Sequence, residues 1–317
     1  LAYKRFKSSF TTEEFNAWFE TFAPDGRAPE IGEVWKSPDH AETLRSIAET
    51  NADSFYKGEI ADKIDDFMVK HGGYLRKSDL EKYKVEWVEP ISTNYRGYDV
   101  WEIPPNGQGM VTLMALNIYS KLSPAIPENT KTLHEQIEAM KLAFIDGKAF
   151  ITEENEMPID VEHLLSDEYA EKRAEKITNE ASIPEPYELP KGGTVYLATA
   201  DGEGNMVSFI QSNYMGFGSG IVIPGTGIAL QNRGADFSLD PTYPNALKPG
   251  KRSFNTIIPG FLTKNGQAIG PFGVMGGYMQ PQGHFQMIVN TIDYRLNPQA
   301  ALDSPRWQWI EGNTVHV

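Results

Sequence analysis

The spacing of apolar residues along the first 82 positions is typical of helices. Apolar residues at helical spacing predict one helix over Pro38–Thr50 and a second over Ala52–Lys70. Gly72 and Gly73 follow the second helix directly, at the position where glycine commonly ends a helix. Residues 1–82 are therefore predicted to be mainly helical.

The next part of the chain, residues 83–177, mixes the two kinds of pattern. Strands are predicted at Val85–Ser92 and Asp99–Ile103, with a turn between them at Arg96 and Gly97. Amphipathic patterns then predict helices over Met110–Tyr119, Leu133–Phe150 and Val161–Ile177.

Residues 178–193 are polar, contain three prolines and end in two glycines, which predicts a linker. Strands dominate after it. The hairpin turn Asp201–Asn205 predicts that Thr194–Ala200 and Met206–Ser212 pair antiparallel. Further predicted elements are strands at Gly227–Gln231 and Thr256–Leu262, a hairpin at Lys264-Asn265-Gly266 and a helix over Gln280–Tyr294.

Composition narrows the function classes. With 317 residues, 40% of them hydrophobic, the chain can bury a sizeable core. Its net charge of −14 argues against nucleic acid and anionic membranes as partners. The absence of cysteine excludes disulfides and thiol catalysis but leaves the cellular compartment open, and the six histidines show no metal-ligand spacing. No run reaches the roughly 18 apolar residues of a membrane-spanning helix.

Thr194 carries the candidate chemistry. It follows Gly192 and Gly193 at the start of a predicted strand. If the Gly193–Thr194 bond cleaves itself, the freed α-amine can act as the base for the Thr194 hydroxyl. One residue then supplies both the nucleophile and its base. A turn followed by a strand is the commoner explanation of such a tripeptide, so the surrounding motifs decide between the two interpretations.

Those motifs extend along nearly the whole chain. FGSG, IPGTGI, PGKR and the paired Gly276 and Gly277 follow Thr194 in that order, and GGYLRKSDLEKYKVEW and LHEQIEAMKLAFIDG precede it. Together they resemble the γ-glutamyltranspeptidase (glutathione hydrolase) family, self-processing N-terminal-nucleophile hydrolases that include acylase-like members. The composition by itself supports an α/β or α+β protein. The resemblance implies an αββα four-layer sandwich.

The resemblance also implies a division of the chain. Residues 1–193 match the C-terminal part of the family's large subunit, with 1–82 helical, 83–177 mixed and 178–193 a linker. Residues 194–317 match the small, catalytic subunit. The two are expected to form one compact domain and to stay together as partners after self-cleavage, and further residues of the protein are expected beyond both ends. No cofactor or metal is implied.

The catalytic residues that the resemblance implies are Thr194 as nucleophile, Ser212 beside it, and Gly276 with Gly277 as the oxyanion hole. Ser212 stands where the family usually has a second threonine, and it keeps the hydroxyl. The family's usual Thr-Thr-His is Thr194-Val195-Tyr196 here, so the neighbours of the nucleophile differ. Ser212 as an ordinary strand residue and the paired glycines as a tight turn are the alternatives.

The substrate-binding positions depart further from the family pattern. Asp236 matches the acid that usually binds the α-amino group of a γ-glutamyl substrate. Tyr214 stands where asparagine is common, Arg233 where glutamine is common, and Asn255-Thr256 where two serines are usual. Arg233 either offers a carboxylate-binding fork or pairs with Asp236.

Three functional hypotheses follow. The first is an amidohydrolase and acyltransferase that cleaves small γ-glutamyl amides such as glutathione. The second is a glutaryl- or cephalosporin-type acylase, favoured by Arg233, Tyr214 and the short segment Ser238–Arg252, which would leave the pocket open. The third is an unprocessed scaffold that binds glutamyl compounds, favoured by the changed residues Val195 and Tyr196.

Overall fold

A computed structural model describes residues 2–122, 129–182 and 193–317. The chain divides into two compact units. The first runs to Trp87 and includes Met215–Asn232, and the second comprises Val88–Tyr214 and Arg233–Val317. This division does not test the predicted boundary between Gly193 and Thr194, which concerns a covalent cut and stays a prediction.

Helices come first along the described residues, as the sequence predicts, and runs of strands and helices follow. The α-helices are α1 Ala2–Ser9, α2 Asn16–Phe22, α3 Pro38–Glu49, α4 Asp53–Tyr56, α5 Glu59–His71, α6 Lys77–Lys82, α7 Gly109–Ser120, α8 Thr130–Phe150, α9 Val161–Leu164, α10 Asp167–Ala174, α11 Met279–Ile292 and α12 Pro298–Asp303. The strands are β1 Ile91–Tyr95, β2 Tyr98–Glu102, β3 Gly193–Ala200, β4 Met206–Tyr214, β5 Gly260–Lys264, β6 Gln267–Phe272, β7 Gln308–Glu311 and β8 Thr314–His316.

The first unit is built on the apolar face of α5. Ile60, Ile64 and Phe67 recur at helical spacing and are buried together with Ile223. The helix ends at Gly72, whose φ of 72° is the left-handed conformation that glycine adopts most easily. The predicted helix end is confirmed.

Two predictions for the first unit are wrong. The single helix predicted over Ala52–Lys70 is interrupted at Gly58, whose backbone is not helical and whose N–H bonds back to the Asp53 carbonyl. The strand predicted at Gly227–Gln231 is an irregular segment with one isolated bridge, between Val222 and Ala229. Apolar runs this short do not fix the type of element.

The second unit contains a four-stranded antiparallel sheet in the order β1-β2-β5-β6. Helices α7, α8 and α11 supply most of its core, and every residue of α7 from Gly109 to Tyr119 is buried. This explains why α7 is apolar on all sides rather than amphipathic.

Most element predictions for this unit are confirmed, including the β3–β4 hairpin, the hairpin after Lys264 and helices α7, α8 and α11. Three differ. Strand β1 begins at Ile91 rather than Val85, because the chain before Pro90 is exposed. The helix predicted over Val161–Ile177 is two helices, since the Ser166 side chain caps α10. Strand β5 begins only after Pro259.

The linker predicted at 178–193 falls largely on residues 183–192, which lie outside the described residues. Among the residues that the structure does describe, no helix is long and apolar enough to cross a membrane.

Candidate active site

The β3–β4 hairpin places Ser212 next to Thr194, and its register is irregular at this point. Gly193 pairs with Tyr214 and Val195 pairs with Gln211, so two residues of β4 lie opposite Thr194 alone. Such a bulge re-aims the side chains around it. Directly after it, Tyr214 has a φ of 74°, a left-handed conformation that is costly for a tyrosine and that bends the chain away from the strand.

The Ser212 hydroxyl contacts both sides of the Gly193–Thr194 bond. Its Oγ donates to the Gly193 carbonyl oxygen at 2.6 Å. It accepts from the Thr194 hydroxyl at 3.3 Å and from the Tyr214 backbone N–H at 2.8 Å. A hydroxyl has one proton and two lone pairs, so Ser212 is fully used. The structure therefore places Ser212 where it can polarise this carbonyl and orient the Thr194 hydroxyl.

Gln280, which the sequence analysis missed, makes a second bond to Thr194. It is fully buried at the start of α11, and its Nε2 donates to Thr194 Oγ1 at 3.3 Å. Its Oε1 accepts from the Ile258 backbone N–H at 3.3 Å, which fixes which way the amide points. In the sequence, Gln280 follows closely after the paired glycines, but the pattern indicates only that it begins a helix.

Gly276 and Gly277 form the turn that leads into α11. Their φ values of 122° and 62° are conformations that residues with a side chain rarely adopt, which explains why both are glycine. The Gly277 carbonyl accepts from Gln108 Nε2 at 2.9 Å, and the same amide group donates to the Thr256 carbonyl at 2.7 Å. Within residues 2–122, 129–182 and 193–317, neither glycine N–H has a hydrogen-bond acceptor. Two donors are thus available to a bound oxyanion.

The Asp236 carboxylate is buried, with 2% of its side chain exposed. Its Oδ1 accepts from the Tyr214 hydroxyl at 3.0 Å and from the Tyr278 hydroxyl at 2.5 Å. Its Oδ2 lies 4.0 Å from Arg233 Nη1. Tyr214 also donates its backbone N–H to Ser212. Tyr214 therefore connects the Thr194 group to the Asp236 group.

Arg233 is held by a hydroxyl and a ring. Its Nη1 donates to Thr256 Oγ1 at 2.5 Å, and its guanidinium carbon lies 4.7 Å from the centre of the Tyr214 ring. Burial lowers the pKa of the guanidinium, although arginine stays charged at neutral pH. The sequence predicts that Arg233 either binds a carboxylate of the substrate or pairs with Asp236. The structure contains the pair with Asp236, whose distance of 4.0 Å is at the upper limit for an ion pair.

Lys148, on the last turn of α8, is a second cation at this cluster and was also missed. Its Nζ bonds the Tyr278 hydroxyl and lies 3.7 Å and 4.0 Å from the ring centres of Tyr278 and Phe254. Burial lowers its pKa to about 7, although the charge of Asp236 acts in the opposite direction. A lysine near a helix C-terminus ordinarily indicates a solvated end, so the pattern gave no signal.

The remaining predicted residue, Asn255, serves the local backbone. Its Oδ1 accepts from the Ile257 N–H at 3.1 Å, and its main chain bonds Asn106 and Gln108. The structure therefore brings Thr256, but not the side chain of Asn255, to Arg233. Across the described residues, no group of three or more histidine, aspartate or glutamate side chains could hold a metal ion.

Comparison with solved structures defines the fold as that of the N-terminal-nucleophile hydrolases. The chain matches the crystal structure of cephalosporin acylase from Bacillus halodurans with a TM-score of 0.95 and 65% identity, over 99% of this chain and 58% of that one. The αββα class predicted from the sequence is confirmed. A family model described as Gamma-glutamyltranspeptidase matches residues 2–317, and the chain belongs to that family.

Curated relatives are hydrolase proenzymes. The chain is 38% identical to the glutathione hydrolase-like YwrD proenzyme of Bacillus subtilis, over 92% of this chain and 55% of the relative. It is 36% identical to the oxamate amidohydrolase proenzyme of Klebsiella pneumoniae, over 91% and 54%. The chain thus spans about half the length of the curated relatives that it matches. The predicted family is confirmed.

Proposed function

We propose that this chain carries the catalytic machinery of a self-processing amidohydrolase, with Thr194 as nucleophile, that removes acyl groups bearing a carboxylate. The observation that carries the proposal is the set of bonds from Ser212 to the Gly193 carbonyl and to the Thr194 hydroxyl. Both partners of a reacting pair, electrophile and nucleophile, contact the same side chain. The proenzyme relatives support the self-processing step.

In the processing step, Thr194 Oγ attacks the Gly193 carbonyl carbon. The Oγ–C bond forms, the C–N bond breaks, and the hydroxyl proton passes to the Thr194 nitrogen, which leaves an ester. Water then hydrolyses that ester and frees the carboxylate of Gly193 and the amine of Thr194. Ser212 stabilises the charge on the Gly193 oxygen as it develops, because its hydroxyl already points at that atom.

In turnover, the freed α-amine of Thr194 takes the proton from its own hydroxyl, which attacks the substrate amide. The N–H groups of Gly276 and Gly277 bind the oxyanion. The amine proton then passes to the leaving nitrogen, and water resolves the acyl-enzyme. Gln280 keeps Oγ1 aimed by its hydrogen bond. The chemistry needs no cofactor.

The surroundings of Asp236 favour the acylase hypothesis over γ-glutamyl amides. A γ-glutamyl group would place its ammonium on Asp236, but two tyrosine hydroxyls and Arg233 already surround that carboxylate. Arg233 adds a cationic side chain to the same cluster, and Lys148 adds an amine whose pKa of about 7 leaves it partly protonated at neutral pH. A glutaryl-type group, which carries a carboxylate and no ammonium, is the better electrostatic match. The cephalosporin acylase relative is consistent with this choice.

The test compares glutaryl-anilide with γ-glutamyl-anilide as substrates of the full-length protein, with the variant Arg233→Gln alongside. We expect higher kcat/KM for glutaryl-anilide. In the Arg233→Gln variant, kcat/KM for glutaryl-anilide should fall by about 10- to 100-fold, which corresponds to the loss of a charged hydrogen bond. The fall in kcat/KM for γ-glutamyl-anilide should be much smaller. Higher kcat/KM for γ-glutamyl-anilide in the wild type would favour the first hypothesis, an amidohydrolase that cleaves γ-glutamyl amides. Binding of either compound without turnover would favour the scaffold.

A further inference from the structure

A fully buried carboxylate–imidazole pair lies between β2 and α11. Glu102, at the end of β2, and His284, on the second turn of α11, are both completely shielded from solvent. His284 Nδ1 and Glu102 Oε1 are 2.6 Å apart. None of the steps proposed above uses either residue. Burying a carboxylate and an imidazole is costly, so a specific role for the pair is worth identifying.

The second nitrogen of the same ring is bonded to the backbone. The Val274 N–H donates to His284 Nε2 at 3.3 Å, in a buried environment. Because Nε2 accepts, it carries no proton, and the ring proton lies on Nδ1, from which it is donated to Glu102. The geometry therefore requires a neutral imidazole in this tautomer. Burial raises the pKa of Glu102, while His284 acts against that rise.

Val274 is fixed from its side chain as well as from its N–H. A Cβ placed on Gly283 would come within 2.5 Å of Val274 Cγ2, so the valine packs directly against the backbone of α11. The Phe272 ring lies 4.9 Å from the His284 ring. Strand β6 ends at Phe272, and Gly276 follows Val274 by two residues. The segment 273–277 is thereby held on α11, the helix that also presents Gln280.

We propose that His284, oriented by Glu102, is the positioning residue that holds segment 273–277 so that the N–H groups of Gly276 and Gly277 meet the reacting carbonyl. The inference rests on the proposed oxyanion role of those glycines. Neither His284 nor Glu102 touches the substrate. The Val274 N–H···Nε2 bond connects them to the loop that does.

The arrangement requires that His284 Nε2 remain a hydrogen-bond acceptor. A proton on Nε2 replaces an acceptor by a donor that faces the Val274 N–H, so the bond is lost and the segment is released. The titratable groups that face the ring are its partner Glu102 and, beyond it on β3, Tyr196, whose pKa is raised by burial and by the Glu102 charge. Loss of this acceptor should therefore reduce kcat through loop geometry, with little effect on substrate binding.

The experiment compares two substitutions of His284 that separate its two bonds. His284→Gln keeps an acceptor near the position of Nε2, whereas His284→Asn can reach Glu102 but not Val274. We expect the asparagine variant to lose about 100-fold in kcat with KM nearly unchanged, the cost of a misplaced oxyanion donor. The glutamine variant, which still offers an acceptor to the Val274 N–H, should keep most of the activity. His134→Gln, at a half-buried histidine of α8 that lies outside this network, is the matched control.

Rates are expressed per mole of N-terminal Thr194, so that slow processing is not mistaken for slow turnover. A readout independent of activity is the ¹⁵N spectrum of histidine-labelled protein, with the His284 signals assigned from the glutamine variant. Nε2 of His284 should be unprotonated at neutral pH. A protonated Nε2, or an asparagine variant with wild-type kcat, would overturn the inference. If the wild type neither processes nor turns over, the proposed function fails, and the spectrum alone decides on the tautomer.

Discussion

At the scale of single residues, the proposed self-processing depends most directly on Ser212. Its hydroxyl bonds the Gly193 carbonyl, the Thr194 hydroxyl and the Tyr214 N–H at once. A methyl group in its place would leave the Gly193 carbonyl without this donor and the Thr194 hydroxyl without this acceptor. The hairpin register brings it there, since the regular pairing that ends at Val195 and Gln211 continues to Thr194 and Ser212, and the bulge then sets Tyr214 opposite Gly193.

We therefore expect Ser212→Ala to slow self-processing by about 100-fold, within the usual range for losing a positioned proton-transfer or polarising group. Ser212→Thr keeps the hydroxyl and should process at close to the wild-type rate. A time course of intact mass after synthesis measures both. Equal processing of the alanine and threonine variants would remove Ser212 from the mechanism.

The sequence predicted most of this cluster. Thr194, Ser212, Tyr214, Arg233 and Asp236 were identified from motifs, and the structure brings their side chains into two connected groups. Motifs succeed here because each residue lies in or beside a short, distinctive stretch. The roles assigned to these residues stay predictions.

The two omissions, Gln280 and Lys148, have a common cause. Both lie at helix ends, where a glutamine or a lysine usually indicates a solvated turn, and only the tertiary fold brings them to the cluster. Asn255 shows the opposite error, since its polar side chain bonds the neighbouring backbone. A side chain of this type often makes such local bonds in turns.

Lys148 makes stability depend on pH. Its pKa is about 7 in the folded protein and about 10 in an unfolded chain. Between these values the unfolded state holds a proton that the folded state has lost, so the free energy of unfolding rises with pH in this window. Relative to Lys148→Met, the wild type should gain at most about 1.4 kcal/mol per pH unit from pH 7 to 10. Urea unfolding at pH 7 and 9.5 measures this, and a constant difference would contradict the assigned burial.

At the scale of elements, the packing of α7 on α8 depends on Gly147. A Cβ at this position would lie 2.5 Å from Val111 Cγ2 on α7. In an exposed helix, replacing glycine by alanine gains about 1 kcal/mol, but here the added methyl group must displace a buried valine. The close approach of the two helices therefore explains a glycine inside α8.

Gly147→Ala is expected to lower the free energy of unfolding by about 1–3 kcal/mol, the usual cost of overpacking. In a Val111→Ala background, where the opposing methyl groups are absent, the same substitution should cost much less. Chemical denaturation of the four proteins of this double-mutant cycle gives the coupling. Additive effects would show that the two side chains do not oppose each other.

The element predictions that were wrong share a physical reason. The break at Gly58 and the late start of β5 depend on single glycine or proline residues inside an apolar pattern that continues past them. The irregular segment 227–231 looks like a strand because it is apolar, but the structure gives it only one bridge. Periodicity detects burial more reliably than it distinguishes the kinds of element that are buried.

At the scale of the whole molecule, the order of motifs along the chain predicted the family and the fold, and both are confirmed. The division into two units was not predicted. The segment Met215–Asn232 joins a unit formed by residues more than a hundred positions earlier, which no local pattern can show. Local signals determine elements, whereas the assignment of a segment to a unit depends on long-range packing.

We propose that the Gly193–Thr194 bond cleaves itself through the Thr194 hydroxyl. The most direct measurement is the intact mass of the purified full-length protein after incubation, with Thr194→Ala prepared in parallel. We expect two fragments from the wild type, the smaller beginning at Thr194, and a single uncut chain from the variant. An uncut wild-type chain, or a variant that is cut at the same bond, would contradict it.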